Sequence, residues 1–190
     1  MGLVIRLGRN EQGIWEGGVI PYTFGQNWSG REKETIMRGM KEWTDRTNCI
    51  KFLCGEWTNY VLINRETRHA TCAKGRNTNG GMVRCDLNPS DLDRFYTVVL
   101  HELGHCIGLC HEQLRNDVPP DTENEILHGL AHGGGDIALQ RYALASQKQR
   151  AVDNYRQVGN FDPDSVMLYL QDNDAVSDGD VAAVRDLYGQ

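Results

Sequence analysis

The chain has 190 residues, 39% apolar and 24% charged, with 21 glycines and 5 prolines, a balance that fits one folded domain over residues 1–190 and excludes collagen-like and disordered classes. Lys and Arg number 20 against 26 Asp and Glu, and the net charge of -6 gives no footing for phosphate backbones or anionic lipid, so neither nucleic acid nor a membrane surface is an expected partner. No apolar run reaches the roughly 18 residues that a bilayer span needs, residues 1–10 are too short and too charged for a secretory signal, and six cysteines (Cys49, Cys54, Cys72, Cys85, Cys106, Cys110) point to an oxidising compartment.

Gly17, Gly18 and Pro21 punctuate the start, and Val19 to Phe24 reads as a short buried strand. Ser29 and Glu32 make a capping-box pattern ahead of Ile36, Met37, Met40 and Trp43, whose spacing puts one apolar face on a helix over roughly 31–46. Ile50 to Leu53 and Tyr60 to Ile63 are β-branched or aromatic runs parted by Gly55 and Asn59, and read as neighbouring strands. Gly75 to Gly81 is a turn-rich loop, followed by a strand to Leu87. Ser90 and Asp93 are expected to cap a helix through Phe95, Tyr96, Val98, Val99 and Leu100. Beyond position 112, Pro119-Pro120, Gly133 to Gly135 and Asp162-Pro163 break the pattern and leave one helix near 139–153. Ser177 and Asp180 cap a last helix, with Val181, Val184 and Tyr188 on one face and Gly189 as its stop.

The chemistry concentrates in His101-Glu102-Leu103-Gly104-His105-Cys106-Ile107-Gly108-Leu109-Cys110-His111. Four helical residues turn the chain through roughly 400°, so His101 and His105 stand about 40° apart on one face and can share a metal ion. A continued helix would carry His111 about 120° off that face and about 9 Å along the axis. Gly108, free to take positive φ, can end the helix and bring His111 back as a third ligand. Three neutral imidazoles suit one Zn2+ and leave a coordination position open for water. Beside such a water, Glu102 can take a proton during attack on a carbonyl and deliver it to the leaving amine, which is peptide hydrolysis. Further on, Ser165-Val166-Met167-Leu168-Tyr169 offers an apolar, polarizable floor in Met167 and a phenol in Tyr169 for a developing oxyanion. HExxHxxGxxH with a later Met-turn is the metzincin signature.

On these residues the chain resembles the astacin family of metzincin endopeptidases, and the resemblance covers most of it. Trp15-Glu16-Gly17-Gly18-Val19-Ile20-Pro21-Tyr22-Thr23-Phe24 is similar to the family's opening strand, and Asn48-Cys49-Ile50-Lys51-Phe52 to its next. His111-Glu112, Arg115 and Asp117 follow the family pattern, as does the ending Leu187-Tyr188-Gly189. The resemblance implies an α+β, two-lobed fold: a twisted, mostly antiparallel sheet with the active-site helix over about 10–110, and an irregular lower lobe closed by a C-terminal helix over about 111–190. It implies Tyr169 as an extra zinc ligand that swings away to stabilise the transition state, and Glu112 as the partner of a mature N-terminus. Counted back from Trp15, that terminus falls near Arg6 to Asn10, with the residues upstream as leftover propeptide or tag.

An extended substrate is expected to pair with an edge strand at Gly81, Met82, Val83, Arg84 and Cys85, through backbone groups that impose little side-chain selectivity. The expected partners are protein or peptide substrates, met outside the cell by a monomer. Departures from the family are plain: nothing after Cys110 is a cysteine, so Cys49 lacks its partner; Leu168 replaces a histidine; and Leu170 to Val176 is short and holds no Lys or Arg. Cys72 resembles one member of a family bridge and could pair with Cys85, while Cys106 and Cys110 read as buried apolar residues or disulfide partners ahead of a third reading, thiols near zinc, because three histidines already complete the expected ligand set. Glu112 also reads as a solvated charge or a partner of Arg115. Competing readings are another metzincin of matrixin type and a zinc-holding binding module without turnover. His69, His128 and His132 read as bystanders, and Asp172, Asp174, Asp178 and Asp180 as solvating and capping groups rather than a calcium site.

Overall fold

The computed structural model describes residues 2–6, 12–55, 57–131, 135–169 and 173–189. In chain order the elements are β1 (Leu3–Ile5), β2 (Gln12–Gly13), β3 (Val19–Phe24), α1 (Gly30–Thr47), β4 (Lys51–Cys54), β5 (Asn59–Arg65), β6 (Thr71–Cys72), β7 (Arg76–Asn77), β8 (Gly81–Leu87), α2 (Phe95–Ile107), β9 (Leu109–Cys110), α3 (Pro120–Ala131), α4 (Ile137–Asn154), β10 (Tyr155–Gln157) and α5 (Asp178–Tyr188).

Local chemistry accounts for most of these limits. Ser29 Oγ accepts the Glu32 N–H while the Glu32 carboxylate accepts the Ser29 N–H, which opens α1, and Asn48 closes it in the left-handed region at φ 56°. The buried face of α1 carries Ile36, Met40 and Trp43. Trp43 is wholly buried, and its indole N–H donates to the Leu100 carbonyl of α2 at 3.1 Å. Burying one such side chain contributes about 2–3 kcal/mol, so this face fixes α2, and with it the histidines, against α1. The start of α2 differs from expectation: Ser90 and Asp93 make no cap, and the Arg94 N–H is instead accepted by Asp91 Oδ1.

The α+β architecture and its closing helix are as expected, but the sense of the sheet is not. Its order is β4-β3-β5-β8-β6, in which β3 runs parallel to β4 and β5, β5 runs parallel to β8, and only β6 is antiparallel. The sheet is therefore mostly parallel, because β3 and β4 are joined by a full helical crossover through α1, which short apolar runs in a sequence do not reveal. Two long helices also fill the half expected to be irregular. Pro119-Pro120 is no breaker there: Pro120 is the first residue of α3, where its missing N–H has no intrahelical role, and Asp121 and Glu123 favour the positive end of the helix dipole.

The chain start takes part in the packing. β1 lies between β9 and β10 in a second, antiparallel sheet, and Leu3, Val4 and Ile5 are 3%, 0% and 1% exposed. Leu3, Val4 and Ile5 are therefore packed in the core between β9 and β10, while Leu7 to Asn10, where the mature start is expected, lie outside the described residues.

Candidate metal centre and active-site cleft

α2 positions the centre. Val99, Leu100, Leu103 and Ile107 are buried and hold the helix in the core, while His101, Glu102 and His105 project from its remaining surface. Gly108 ends the helix at φ 120°, with its N–H shared between the Gly104 and His105 carbonyls. That conformation is strained for any side chain, and the Gly108 carbonyl in turn accepts the Ile5 N–H at 3.1 Å. The chain turns back through β9, and His111 arrives beside the other two histidines. One nitrogen from each of His101, His105 and His111 lies within 4.8 Å of the others. His105 Nε2 and His111 Nε2 are 3.0 Å apart, close to the roughly 3.3 Å between two nitrogens that share one tetrahedral zinc.

The other ring nitrogens are already committed. His101 Nδ1 donates to the Val166 carbonyl at 2.7 Å and His105 Nδ1 to the Leu109 carbonyl at 2.9 Å. A carbonyl only accepts, so Nδ1 carries the proton in both rings and the Nε2 lone pair is left for a metal. Burial lowers the pKa of His101, His105 and His111, which keeps the imidazoles neutral, as ligation requires. The donor set therefore fits zinc.

Glu102 is 7% exposed, and its Oε2 has no hydrogen-bond partner among the described residues. Desolvation pushes its carboxyl up to about 8, with nearby Cys85 acting in the same direction. A cavity of about 230 Å³ opens here, lined by Ala70, Arg94, Thr97, Val98, His101, Glu102, Val166, Leu168 and Tyr169. A larger one of about 710 Å³ lies between the starts of α1 and α2 and touches none of the three histidines.

Beneath the histidines, Ser165 Oγ and the Val166 N–H both donate to the buried Asp180 carboxylate, at 2.6 and 3.0 Å, and Asp180 also completes the capping box of α5 with Ser177. The C-terminal helix thus holds the turn that carries the His101 acceptor. Met167 follows, packed so closely on α2 that a Cβ on Gly104 would fall 2.4 Å from its sulfur and 3.3 Å from Trp43. Gly104→Ala should therefore displace Met167, lower stability by about 1–3 kcal/mol despite the better helix propensity, and weaken zinc retention in a chelator titration. The Tyr169 ring lies 4.4 Å from the His111 ring and 5.8 Å from that of His101, centroid to centroid. Burial raises its phenol to about 12, so it stays protonated and able to donate.

Glu112 is fully buried rather than solvated. Its Oε1 accepts the Asp162 N–H at 3.0 Å and lies 3.3 Å from Arg115 Nε, its N–H donates to the Met167 carbonyl, and burial pushes its carboxyl up to about 8 against the pull of Arg115.

Two expectations are corrected here. Of the expected edge at Gly81, Met82, Val83, Arg84 and Cys85, β8 pairs with β5 along its whole length, and its other side is covered by β6 at Cys85 and Asp86, while Val83 and Cys85 face the core. The edge is β6, which begins directly after Ala70, a residue that lines the cavity. Asp180 belongs to the hydrogen-bonded core rather than to a solvating acidic group, while Asp178 pairs with Arg46. His69 and His128 stand apart from the three histidines, and His132 and Asp172 lie outside the described residues. Sequence reasoning did not reach the Val166 and Leu109 carbonyls, since backbone acceptors carry no residue-type signal. It also did not reach the convergence of Cys72, Cys85 and Cys106, whose sulfurs all lie within 4.8 Å of one another.

A three-histidine centre on a helix that ends in a positive-φ glycine, floored by a methionine turn, defines a metzincin-type zinc site. Residues 8–185 match the sequence model of the Astacin peptidase family, and the chain belongs to that family. Among curated relatives it is 31% identical to human Tolloid-like protein 1 over 60% of this chain and 10% of that one. It is 28% identical to Bone morphogenetic protein 1 of Xenopus laevis over 83% and 21%, and 27% identical to zinc metalloproteinase nas-3 of Caenorhabditis elegans over 98% and 65%. The chain thus spans about a tenth to a fifth of the length of the first two. In fold it is similar to high choriolytic enzyme 1, a hatching enzyme zinc-protease from Oryzias latipes (TM-score 0.64, 20% identity, 94% of each chain). It is also similar to myroilysin (TM-score 0.63, 19% identity, 100% of this chain and 99% of that one).

Proposed function

We propose that this chain is a zinc-dependent endopeptidase that hydrolyses peptide bonds in extended protein substrates, working as a secreted monomer. His101, His105 and His111 would hold one Zn2+ through Nε2. Bound there, zinc polarises the scissile carbonyl and lowers the pKa of a water to about 7. Glu102 takes the proton of the attacking water and passes it to the leaving nitrogen. Its buried carboxyl, with Oε2 unpartnered among the described residues, lies beside the cavity at His101, where both roles are needed. Tyr169 serves as oxyanion donor and as an additional zinc ligand in the resting enzyme, Met167 and Glu112 support the centre from below, and the β6 edge takes the substrate backbone.

The observation that carries this reading is the convergence of three ring nitrogens, two of them fixed as lone-pair donors by backbone carbonyls. Purified protein should contain one equivalent of zinc and cleave unfolded casein. Chelation with 1,10-phenanthroline should abolish cleavage, and added zinc should restore it. Zinc-loaded protein that leaves casein and extended peptides intact would instead establish the binding module.

A further inference from the structure

Cys72 on β6, Cys85 on β8 and Cys106 on α2 bring three sulfurs together on the side of the helix away from His101. Cys85 and Cys106 are wholly buried, while Cys72 keeps some exposure. Cys72 and Cys85 are direct cross-strand partners, and Cys106 rises from the helix beneath them. The closest pair is Cys72 Sγ and Cys106 Sγ, at 2.9 Å.

Two thiolates that share a tetrahedral ion at about 2.3 Å stand about 3.8 Å apart, so this pair is too close for metal ligation but within about 1 Å of bonding distance. Charge favours the same answer. Three thiolates around a divalent ion would bury a net negative charge one helical turn from the Glu102 carboxylate, whereas a disulfide adds none.

We propose that Cys72 and Cys106 form a disulfide that clamps the β6 edge to the active-site helix, leaving Cys85 as a buried third thiol. Each of the two cysteines loses its S–H hydrogen as the S–S bond forms. The two electrons and two protons pass to a disulfide oxidant of the glutathione class, which departs as two thiols. Cys72, as the exposed member, meets the oxidant first, and Cys106 displaces the mixed disulfide. The clamp matters because β6 is two residues long and is held to β8 by a two-residue register. Tied to α2, it keeps a fixed distance from the histidines; as a free thiol pair, it is left to shift along the cleft.

The test is peptide mapping without reduction, on protein equilibrated with oxidised glutathione and blocked with N-ethylmaleimide. A Cys72–Cys106 cross-linked peptide is expected, with Cys85 alkylated only after denaturation. A Cys72–Cys85 link, three alkylatable thiols, or a thiol-dependent second equivalent of zinc would each overturn the proposal. Cys72→Ala and Cys106→Ala should each lower Tm by about 10 °C and abolish its dependence on reductant. Cys85→Ser should retain the cross-linked peptide. The consequence for catalysis rests on the proposed protease function: opening the bond should raise KM for extended peptides about tenfold with kcat little changed. Because the cross-link is read by mass, it survives a failure of the protease reading. A confirmed bond with an unmoved KM in an active enzyme would overturn the clamp on the edge.

Discussion

Glu102→Gln should retain its equivalent of zinc and lose kcat/KM on casein or an extended peptide by about 10³- to 10⁴-fold, about 4–5.5 kcal/mol of transition-state stabilisation. Glutamine keeps the shape of the side chain, and among the described residues Glu102 makes no hydrogen bond through Oε2 whose loss would disturb the helix. The three histidines are fixed by Val166, Leu109 and the Gly108 turn rather than by Glu102, so the substitution should leave metal content and Tm close to wild type. What disappears is the only proton acceptor that α2 places beside His101 in the cavity, and an amide has no basicity to replace it. Glu102→Asp should recover only part of the loss, because the shorter side chain withdraws the carboxylate from the cavity. Zinc analysis and initial rates on the same preparations make the measurement. A zinc-loaded Gln variant with undiminished activity would remove Glu102 from the mechanism.

The site was more legible in the sequence than the framework around it, for reasons particular to each residue. His101, Glu102, His105, Gly108 and His111 lie within eleven residues, where helical geometry alone dictates who faces whom. Ser29, Glu32, Ser177 and Asp180 were equally readable, because a capping box is a local bond between side chain and backbone. The direction of β4 relative to β3 was not, since it depends on a crossover and not on the run Ile50 to Leu53 itself. The same holds for the substrate edge. Gly81 to Leu87 alternates as any half-buried strand does, and only the long-range pairing with Thr71 and Cys72 shows that β6 covers β8 at Cys85 and Asp86. The start of α3 was hidden because Pro119-Pro120 reads as a stop, although proline also serves as a first helical residue. The core role of Leu3 to Ile5 was hidden by their distance in sequence from β9 and β10.

The largest stability effect outside the metal centre should come from Arg115→Met, a loss of about 3–5 kcal/mol and a fall in Tm of about 8–15 °C. All five N–H donors of Arg115 are used. Nε donates to Asp117 Oδ1 at 2.8 Å, Nη1 to the carbonyls of Gly2 and Val158 at 3.1 and 3.2 Å, and Nη2 to Asp117 Oδ2 at 2.8 Å and to the Gly159 carbonyl. Asp117 is 40% exposed on its side chain, so that ion pair is screened and contributes little. Glu112 decides the outcome: its side chain and that of Arg115 are both 0% exposed, and one of its oxygens is already without a partner among the described residues. Methionine fills similar volume but strands the Glu112 carboxyl and the buried Gly2 carbonyl, and the strand start at Gly2 loses its tie to the part-buried carbonyls of Val158 and Gly159. Arg115→Lys should restore less than half of the stability, because an ammonium cannot reproduce a planar fork of five donors. Arg115→Met combined with Glu112→Leu should be more stable than Arg115→Met alone, since the buried carboxyl left without a partner is removed as well. Urea unfolding followed by tryptophan fluorescence measures all three. An Arg115→Met variant within about 1 kcal/mol of wild type would show that water, not Arg115, satisfies the buried Glu112 carboxyl.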